Sequence, residues 1–181
     1  MRILGIDPGS TATGYGVVDY SRGRLTHVTH GVIRTHRSDS LAARLARIHS
    51  YVLEVAQKNA PDSSVVEKVF LASNPRSALV LGQARGAALA ALATHGLEVH
   101  EVSAREVKKA VAGTGAAQKK QVQSMVVRLL NLDSSPPTDA ADALAIAICH
   151  AHAGRLSGVG VRSGRRSLRG VAHALSSRAA R

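Results

Sequence analysis

Four acidic residues from three distant parts of the chain carry most of the chemistry that this sequence offers. Carboxylate oxygens are the ligands that hard divalent cations such as Mg²⁺ prefer. Two such ions, about 3.5–4 Å apart, activate a water and stabilise the departing oxygen when a phosphodiester is cut. The sequence therefore predicts a metal-dependent hydrolase of phosphodiester bonds, with these four acids as its site: Asp7, Glu67, Asp139 and Asp142.

Asp7 ends the apolar segment RILGID, and the turn Pro8-Gly9 follows it. Sites in α/β folds usually lie where strands end, so the position suits a functional carboxylate. An Asp before Pro-Gly is also common as a turn residue. Taken by itself, Asp7 leaves both interpretations open.

Glu67 interrupts the segment SVVEKVF, which is otherwise suited to a buried strand. Burying a carboxylate without a partner is costly. Glu67 therefore either faces solvent or shares a cation with Asp7. The neighbouring Lys68 points to the opposite face of the strand, so only one of the two side chains faces inward.

Asp139 and Asp142 lie three residues apart at the start of a predicted helix and so share one of its faces. Acids at this end also complement the helix dipole, which is the alternative reading. The rest of the segment, DAADALAIAICHAH, is nearly all apolar and predicts a buried helix, which favours metal binding. None of the nine histidines falls in a zinc spacing such as HExxH, so Mg²⁺ is expected rather than Zn²⁺.

The elements that must position these acids alternate along the chain in the manner of an α/β domain with a mixed sheet. Gly82 and Gly86 lie four apart in one predicted helix. Because glycine costs about 1 kcal/mol in a helix interior, they suggest the close approach of another backbone. The predicted strands are 2–7, 14–20, 25–33, 64–70 and 97–102, and the helices are 41–55, 77–94, a short one after Ser103, 117–130 and 139–153.

Positive charge is concentrated at the C-terminal end. The chain has 24 Lys and Arg against 12 Asp and Glu, a net charge of +12, and seven arginines but no acids follow Asp142. Such a balance predicts a polyanionic partner such as nucleic acid, although a merely soluble basic protein has the same charge. We expect a folded domain over 1–153 and a basic, disordered tail over 154–181.

Cys149 is the one cysteine, which excludes an intramolecular disulfide and is typical of a reducing cytosol. It is expected to be a small buried side chain rather than a reactive thiol. The N-terminus lacks a signal-peptide pattern, and no uninterrupted apolar run reaches about 18 residues. We therefore expect a cytoplasmic protein that does not contact a membrane.

Several of these segments also carry a family resemblance. GIDPGS, VVEKVF, NPRSALVLGQARGAALAA, REVKKAVAGTGAAQKKQVQSMV and DAADALAIAICHAH resemble the RuvC family of bacterial Holliday-junction resolvases, over about Met1 to His152. The resemblance implies a ribonuclease-H-like fold, with a five-stranded mixed sheet flanked by helices on both faces. It further implies a homodimer that resolves four-way DNA junctions by paired symmetrical nicks in recombination and repair, together with the RuvA–RuvB branch-migration complex.

The resemblance also assigns roles to residues. The family's acidic positions fall on the same four carboxylates, which would hold two Mg²⁺ ions, with Mn²⁺ as a substitute and Asp7 bridging both. Phe70 matches an aromatic that packs against unpaired bases, although a strand Phe is more often a core residue. Lys108 and Lys119 match basic positions that hold DNA, and Lys119 would offset charge at the scissile phosphate. The helix over 77–94 matches a segment near the family's dimer interface.

Two other functions are compatible with parts of the sequence. Asp7-Pro8-Gly9-Ser10 faintly resembles the phosphate-binding turn of nucleotide-binding ATPases of the same broad fold. Those proteins need a second phosphate loop and usually a much longer chain. A catalytically silent junction-binding protein is the second alternative, but a binder of anionic DNA gains nothing from clustered carboxylates.

Overall fold

The computed structural model describes residues 1–68 and 74–156, and the predicted five-stranded mixed sheet with helices on both faces is confirmed. The strands occur in the order β3-β2-β1-β4-β5 across the sheet. The elements are β1 (Arg2–Asp7), β2 (Ala12–Ser21), β3 (Arg24–Arg34), α1 (Leu41–Asn59), β4 (Ser63–Glu67), α2 (Pro75–Thr94), β5 (Val99–Val102), α3 (Ala104–Ala112), α4 (Lys119–Leu130) and α5 (Thr138–Leu156).

The central strand, β1, is the one that ends in Asp7. It pairs antiparallel with β2 and parallel with β4, and β5 pairs parallel with β4 on the far side. The β1–β4 register sets Ile6 beside Val66. Asp7 and Glu67 are therefore the next positions on adjacent parallel strands, where both strands end at the same edge of the sheet.

Two hydrophobic cores cover the two faces of the sheet. On one face, apolar residues of α3, α4 and α5 pack against the alternate strand residues Ile3, Val18 and Val65. On the other face, α1 and α2 pack against Leu4, Ile6 and their neighbours. Because the side chains of a strand alternate between faces, Asp7 and Glu67 lie on the α5 side, in step with Ile3 and Val65.

Helix α5 lies directly on the strands because glycines leave the sheet surface bare beneath it. A Cβ at Gly5 would overlap the backbone carbonyl of Ala143, and one at Gly14 would overlap that of Asp139. At Gly16 it would lie 2.8 Å from the backbone nitrogen of Leu144. The small residues of the sheet and the alanines of α5 thus allow two backbones to approach closely, as closely packed interiors require.

The ends of several elements differ from the sequence expectation by a few residues. Helix α2 begins at Pro75 rather than Ser77, because the Asn74 side chain caps it and proline suits the first helical position. Strand β5 begins at Val99 and helix α4 at Lys119, two residues later than expected in each case. The backbone approach expected at Gly82 and Gly86 is not found within residues 1–68 and 74–156, where nothing lies within 4 Å of a Cβ at either glycine.

Helix α2 is, among the described residues, the one helix long and apolar enough to cross a membrane. Helices that pack into the core of a protein can be equally long and apolar. One face of α2 does pack into the core through Ala84, Ala88, Ala91 and Leu92. The opposite face is exposed, and Leu79 on it is 69% exposed.

Helix α5 continues to Leu156, three residues beyond the expected end at Ala153. Residues 157–181, most of the predicted basic tail, lie outside the described part of the chain, so the prediction that the tail is disordered stays a prediction. Cys149 is buried in α5, as expected, and burial raises the pKa of its thiol to about 11.

Candidate active site

Asp7 and Glu67 occupy consecutive positions on the adjacent parallel strands β1 and β4, at the edge of the sheet where both strands end. Burial, followed by the charges of Glu67, Asp142 and Asp139, raises the pKa of Asp7 to about 7. Burial and the charge of Asp142 also raise the pKa of Glu67. Without a cation, the pair therefore retains a proton near neutral pH, because two adjacent carboxylates resist ionising together.

Asp139 and Asp142 reach the same edge of the sheet from the first turns of α5. The β1–β2 register pairs Asp7 with Gly14, and the backbone of Asp139 lies directly over Gly14. The side chain of Asp142 is 25% exposed. The structure thus brings all four predicted acids close enough for Asp139, Asp142 and Glu67 each to raise the pKa of Asp7.

Lys119 is the first residue of α4, and its Nζ lies 2.6 Å from Oδ2 of Asp142. Partial burial disfavours the charged form of this lysine. The hydrogen bond to Asp142 and the charges of Asp142, Asp7 and Asp139 outweigh that effect, so its pKa is raised. Lys119 therefore stays protonated at the rim of the acidic cluster, and its side chain is 59% exposed.

The loop that follows Asp7 is fixed by side chains that the sequence did not single out. Nε and Nη2 of Arg44 donate to the backbone carbonyl of Ser10 at 3.1 and 2.6 Å, and Oγ1 of Thr35 donates to it at 2.7 Å. Oγ1 of Thr13 donates to the carbonyl of Gly9 at 2.7 Å. This loop joins β1 to β2, so the bonds hold the chain immediately beyond Asp7 at the end of β1.

Arg85 on α2 is a second contact that sequence reasoning missed. Its Nε donates to the backbone carbonyl of Glu67 at 3.1 Å, and its guanidinium forms an ion pair with Glu101 on β5. One signal was available in the run ALVLGQARGAALAAL, where Arg85 is the one charged residue. A charged side chain needs a polar partner when its helix packs on a sheet.

The donor set fits a hard divalent cation, because it consists of carboxylates alone and the cluster carries excess negative charge. Within residues 1–68 and 74–156, no three His, Cys, Asp or Glu side chains already converge as a set of metal ligands. One of the four acids, Asp142, is paired with Lys119. This ion pair neutralises charge that a bound cation would otherwise neutralise.

Two predicted site residues remain, Lys108 and Phe70. Lys108 is half-buried on α3 and makes no ion pair with the residues that the structure describes. Phe70 falls within residues 69–73, which lie outside the described part of the chain. The roles expected for both side chains remain predictions.

Comparison with known sequences places this site in a family context. The sequence model described as "Crossover junction endodeoxyribonuclease RuvC" matches residues 3–150. The chain is 56% identical to a protein of that description from Burkholderia cenocepacia over 154 residues, 85% of each chain. It is likewise 56% identical to one from Bordetella parapertussis over 156 residues, 86% of each chain.

Solved structures of Holliday junction resolvases are also similar to this chain. Thermus thermophilus RuvC superposes with a TM-score of 0.79 at 37% identity, covering 87% of this chain and 97% of that one. The same protein in complex with a Holliday junction substrate superposes with a TM-score of 0.82 at 37% identity, covering 87% and 96%. The yeast mitochondrial Holliday junction resolvase shares the fold, with a TM-score of 0.61 at 14% identity, covering 82% and 77%.

Proposed function

The chain belongs to the RuvC family of crossover junction endodeoxyribonucleases, and from that premise we propose how its residues cut DNA. Its function is that of a Holliday junction resolvase, a nuclease with a ribonuclease-H-like fold that acts on the four-way junction. The family is metal-dependent. The proposal concerns the metal, the residues that hold it and the assembly in which they work.

Asp7, Glu67, Asp139 and Asp142 are proposed to hold Mg²⁺, as two ions per site, with Mn²⁺ as a substitute. Bound Mg²⁺ supplies an activated water and stabilises negative charge on phosphate oxygens. Asp7 occupies the centre of the cluster, between Glu67 on the neighbouring strand and the α5 acids, so it would hold the metal together with them. The product is expected to carry a 5′-phosphate.

Lys119 is proposed to place a positive charge at the scissile phosphate. Its ammonium is held at the rim of the cluster by Asp142 while more than half of the side chain remains accessible. A charge already in place at the phosphate stabilises the transition state without reorganisation. Lys108 and Phe70 are assigned to DNA binding by resemblance alone, Phe70 by stacking on unpaired bases.

One observation carries the metal proposal: strand register and the close packing of α5 bring four acids to one edge of the sheet, where burial and the other three acids raise the pKa of the half-buried Asp7 to about 7. Clustered carboxylates that resist ionising together are costly for an apo-protein, and a cation removes that cost. A silent junction-binding protein would have no use for such a cluster. A nucleotide-binding ATPase would need a second phosphate loop, which the sequence lacks.

The test compares cleavage of a synthetic four-way junction and a linear duplex, with Mg²⁺ and with chelator. We expect paired nicks in the junction with Mg²⁺ alone, and no cutting by Asp7→Asn while that variant still binds the junction. Asp19→Asn is the matched control, since Asp19 pairs with Arg2 on the sheet surface and should leave cleavage unchanged. Cleavage by Asp7→Asn with Mg²⁺ would refute the proposed metal site.

We further propose that the enzyme is a homodimer assembled through α2, so that two sites face two strands of the junction. The exposed face of α2 is largely apolar, with Leu79, Ala90 and the glycines Gly82 and Gly86 beside one polar residue, Gln83. An apolar face of this kind is typical of a docking surface. Action in the cytoplasm and cooperation with RuvA–RuvB are proposed from the family alone.

A further inference from the structure

Arg85 reaches the catalytic strand from the side of the sheet opposite α5. It lies on α2, whose buried alanines pack with β1 and β4 residues in one core, whereas α5 belongs to the other core. Its guanidinium spans two neighbouring strands, because Nε binds the backbone carbonyl of Glu67 on β4 and the other end pairs with Glu101 on β5. The side chain of Arg85 is 20% exposed and that of Glu101 41%.

The contact falls where β4 ends. Glu67 is the last residue of this strand, and the amide of Lys68 makes one further bond, donating to the carbonyl of Val102 at 2.8 Å. At a strand end, the φ and ψ angles of the last residue set the direction in which its side chain leaves the sheet. A planar guanidinium bound to the Glu67 carbonyl restricts rotation of that peptide and hence the direction of the carboxylate.

We propose that Arg85 is a positioning residue for the metal site: it fixes the peptide of Glu67 so that the carboxylate is held against Asp7. The inference rests on the proposed function, because it requires Glu67 to bind metal. It has a consequence for assembly, since Arg85 lies on the helix whose opposite face is proposed to dock the second subunit. The position of α2 is thereby linked to the position of a catalytic acid.

A merely structural ion pair would behave differently. A part-exposed Arg–Glu pair contributes about 0–1 kcal/mol to stability, and its loss would leave metal binding unaltered. If Arg85 only formed an ion pair, lysine could replace it. If Arg85 positions Glu67, lysine cannot replace it, because one ammonium cannot bind the Glu67 carbonyl and Glu101 at once as the guanidinium does.

The test uses the full chain with Arg85→Met and Arg85→Lys. Calorimetric titration with Mn²⁺ in the absence of DNA reports metal affinity, and the Mg²⁺ concentration for half-maximal junction cleavage reports the same property during turnover. We expect both variants to bind Mn²⁺ about tenfold more weakly and to need correspondingly more Mg²⁺, as for other supports of metal ligands. Junction affinity measured in Ca²⁺ and the melting temperature should stay close to those of the unaltered enzyme.

Three further variants separate the possible outcomes. Arg76→Met removes an exposed arginine of the same helix and should leave Mn²⁺ affinity unchanged. Glu101→Gln removes the ion pair but keeps the bond to Glu67, so its effect should be smaller than that of Arg85→Met. Glu67→Gln should weaken Mn²⁺ binding and abolish cleavage, and normal behaviour of this variant would refute the proposed function itself. If Glu67→Gln fails as expected but Arg85→Met binds Mn²⁺ normally, or Arg85→Lys restores full affinity, the positioning role is wrong.

Discussion

Asp7 illustrates at the scale of one residue how a cluster of carboxyl groups opposes stability. Its carboxyl group is held among three other acids, and burial and their charges raise its pKa from 3.8 to about 7. The folded protein therefore keeps a proton on this group over a pH range in which the unfolded chain has lost it. A bound cation would remove the penalty, which ties the stability of the fold to the loading of the site.

This difference in pKa predicts the pH dependence of stability without metal. Between about pH 4 and pH 7 the folded state binds more protons at Asp7 than the unfolded state, so stability falls as pH rises, by at most about 4 kcal/mol. Asp7→Asn lacks this loss and should be more stable than the unaltered chain at pH 8 in chelator. The difference in stability between Asp7→Asn and the unaltered chain should shrink towards pH 4. Thermal unfolding of both proteins from pH 4 to pH 8 measures this difference.

Asp19→Asn provides the control of opposite sign. The hydrogen bond and charge of Arg2 lower the pKa of Asp19, so its contribution to stability is present above its unfolded pKa and is lost as pH falls. The asparagine variant should be no more stable than the unaltered protein at pH 8. A uniform effect of Asp7→Asn at all pH values would contradict the assignment of the raised pKa to this group.

At the scale of elements, the distance between α5 and the sheet decides where two of the four acids lie. That distance is set by glycines, and Gly14 is the most demanding of them because Asp139 passes directly over it. A sheet with any larger side chain at this position would hold the start of α5 further out. Asp139 and Asp142 would move away from Asp7 with it.

Gly14→Ala is therefore expected to impair catalysis more than folding. The added methyl group should cost about 1–3 kcal/mol through overpacking, and a displacement of α5 by about 1 Å can lower the cleavage rate about 100-fold. Junction cleavage at saturating Mg²⁺, measured beside thermal unfolding, separates the two effects.

Gly154→Ala, on the same helix but with nothing within 4 Å of the new Cβ, is the matched control. It should leave cleavage unchanged, because the substitution is far along α5 from both acids. Cleavage by Gly14→Ala at the unaltered rate would show that the close contact does not set the position of the acids.

At the scale of the whole molecule, charge and exposed apolar surface point to two different partners. The net charge of +12 suits DNA, and counterion release makes such binding depend on salt. The exposed face of α2 is instead apolar, with Leu79 more exposed than any other large hydrophobic side chain in the described part of the chain. The proposed homodimer would combine both properties in one assembly.

Leu79→Lys is expected to weaken the dimer without unfolding the subunit, because the side chain is 69% exposed in the single chain. Burying an unpaired ammonium in an apolar interface is costly. Sedimentation at several protein concentrations should show a shift from dimer to monomer, and junctions should receive single rather than paired nicks.

Tyr51→Lys makes the same kind of change on α1, where Tyr51 is 42% exposed, and should leave the dimer intact. If Leu79→Lys dimerises as the unaltered chain does, the subunits do not associate through this face of α2.

The order of strands and helices was predictable from the sequence because local patterns encode it. Examples are the β-branched run at Val65 and Val66 and the alanine-rich run after Asp139. The four acids could be singled out for a similar reason, because each ends, interrupts or begins an apolar segment. Element ends were less predictable where a single cap decided them, as Asn74 does for α2.

Only the tertiary structure decided which of these residues meet. Asp7 and Asp142 are separated by most of the chain, and their proximity depends on strand register and on α5 lying against bare glycines. Arg85 and Arg44 acquired their significance in the same way, since each binds a backbone carbonyl far away in sequence. Local sequence determines which segments become strands and helices, whereas the packing of those segments determines which side chains converge into a site.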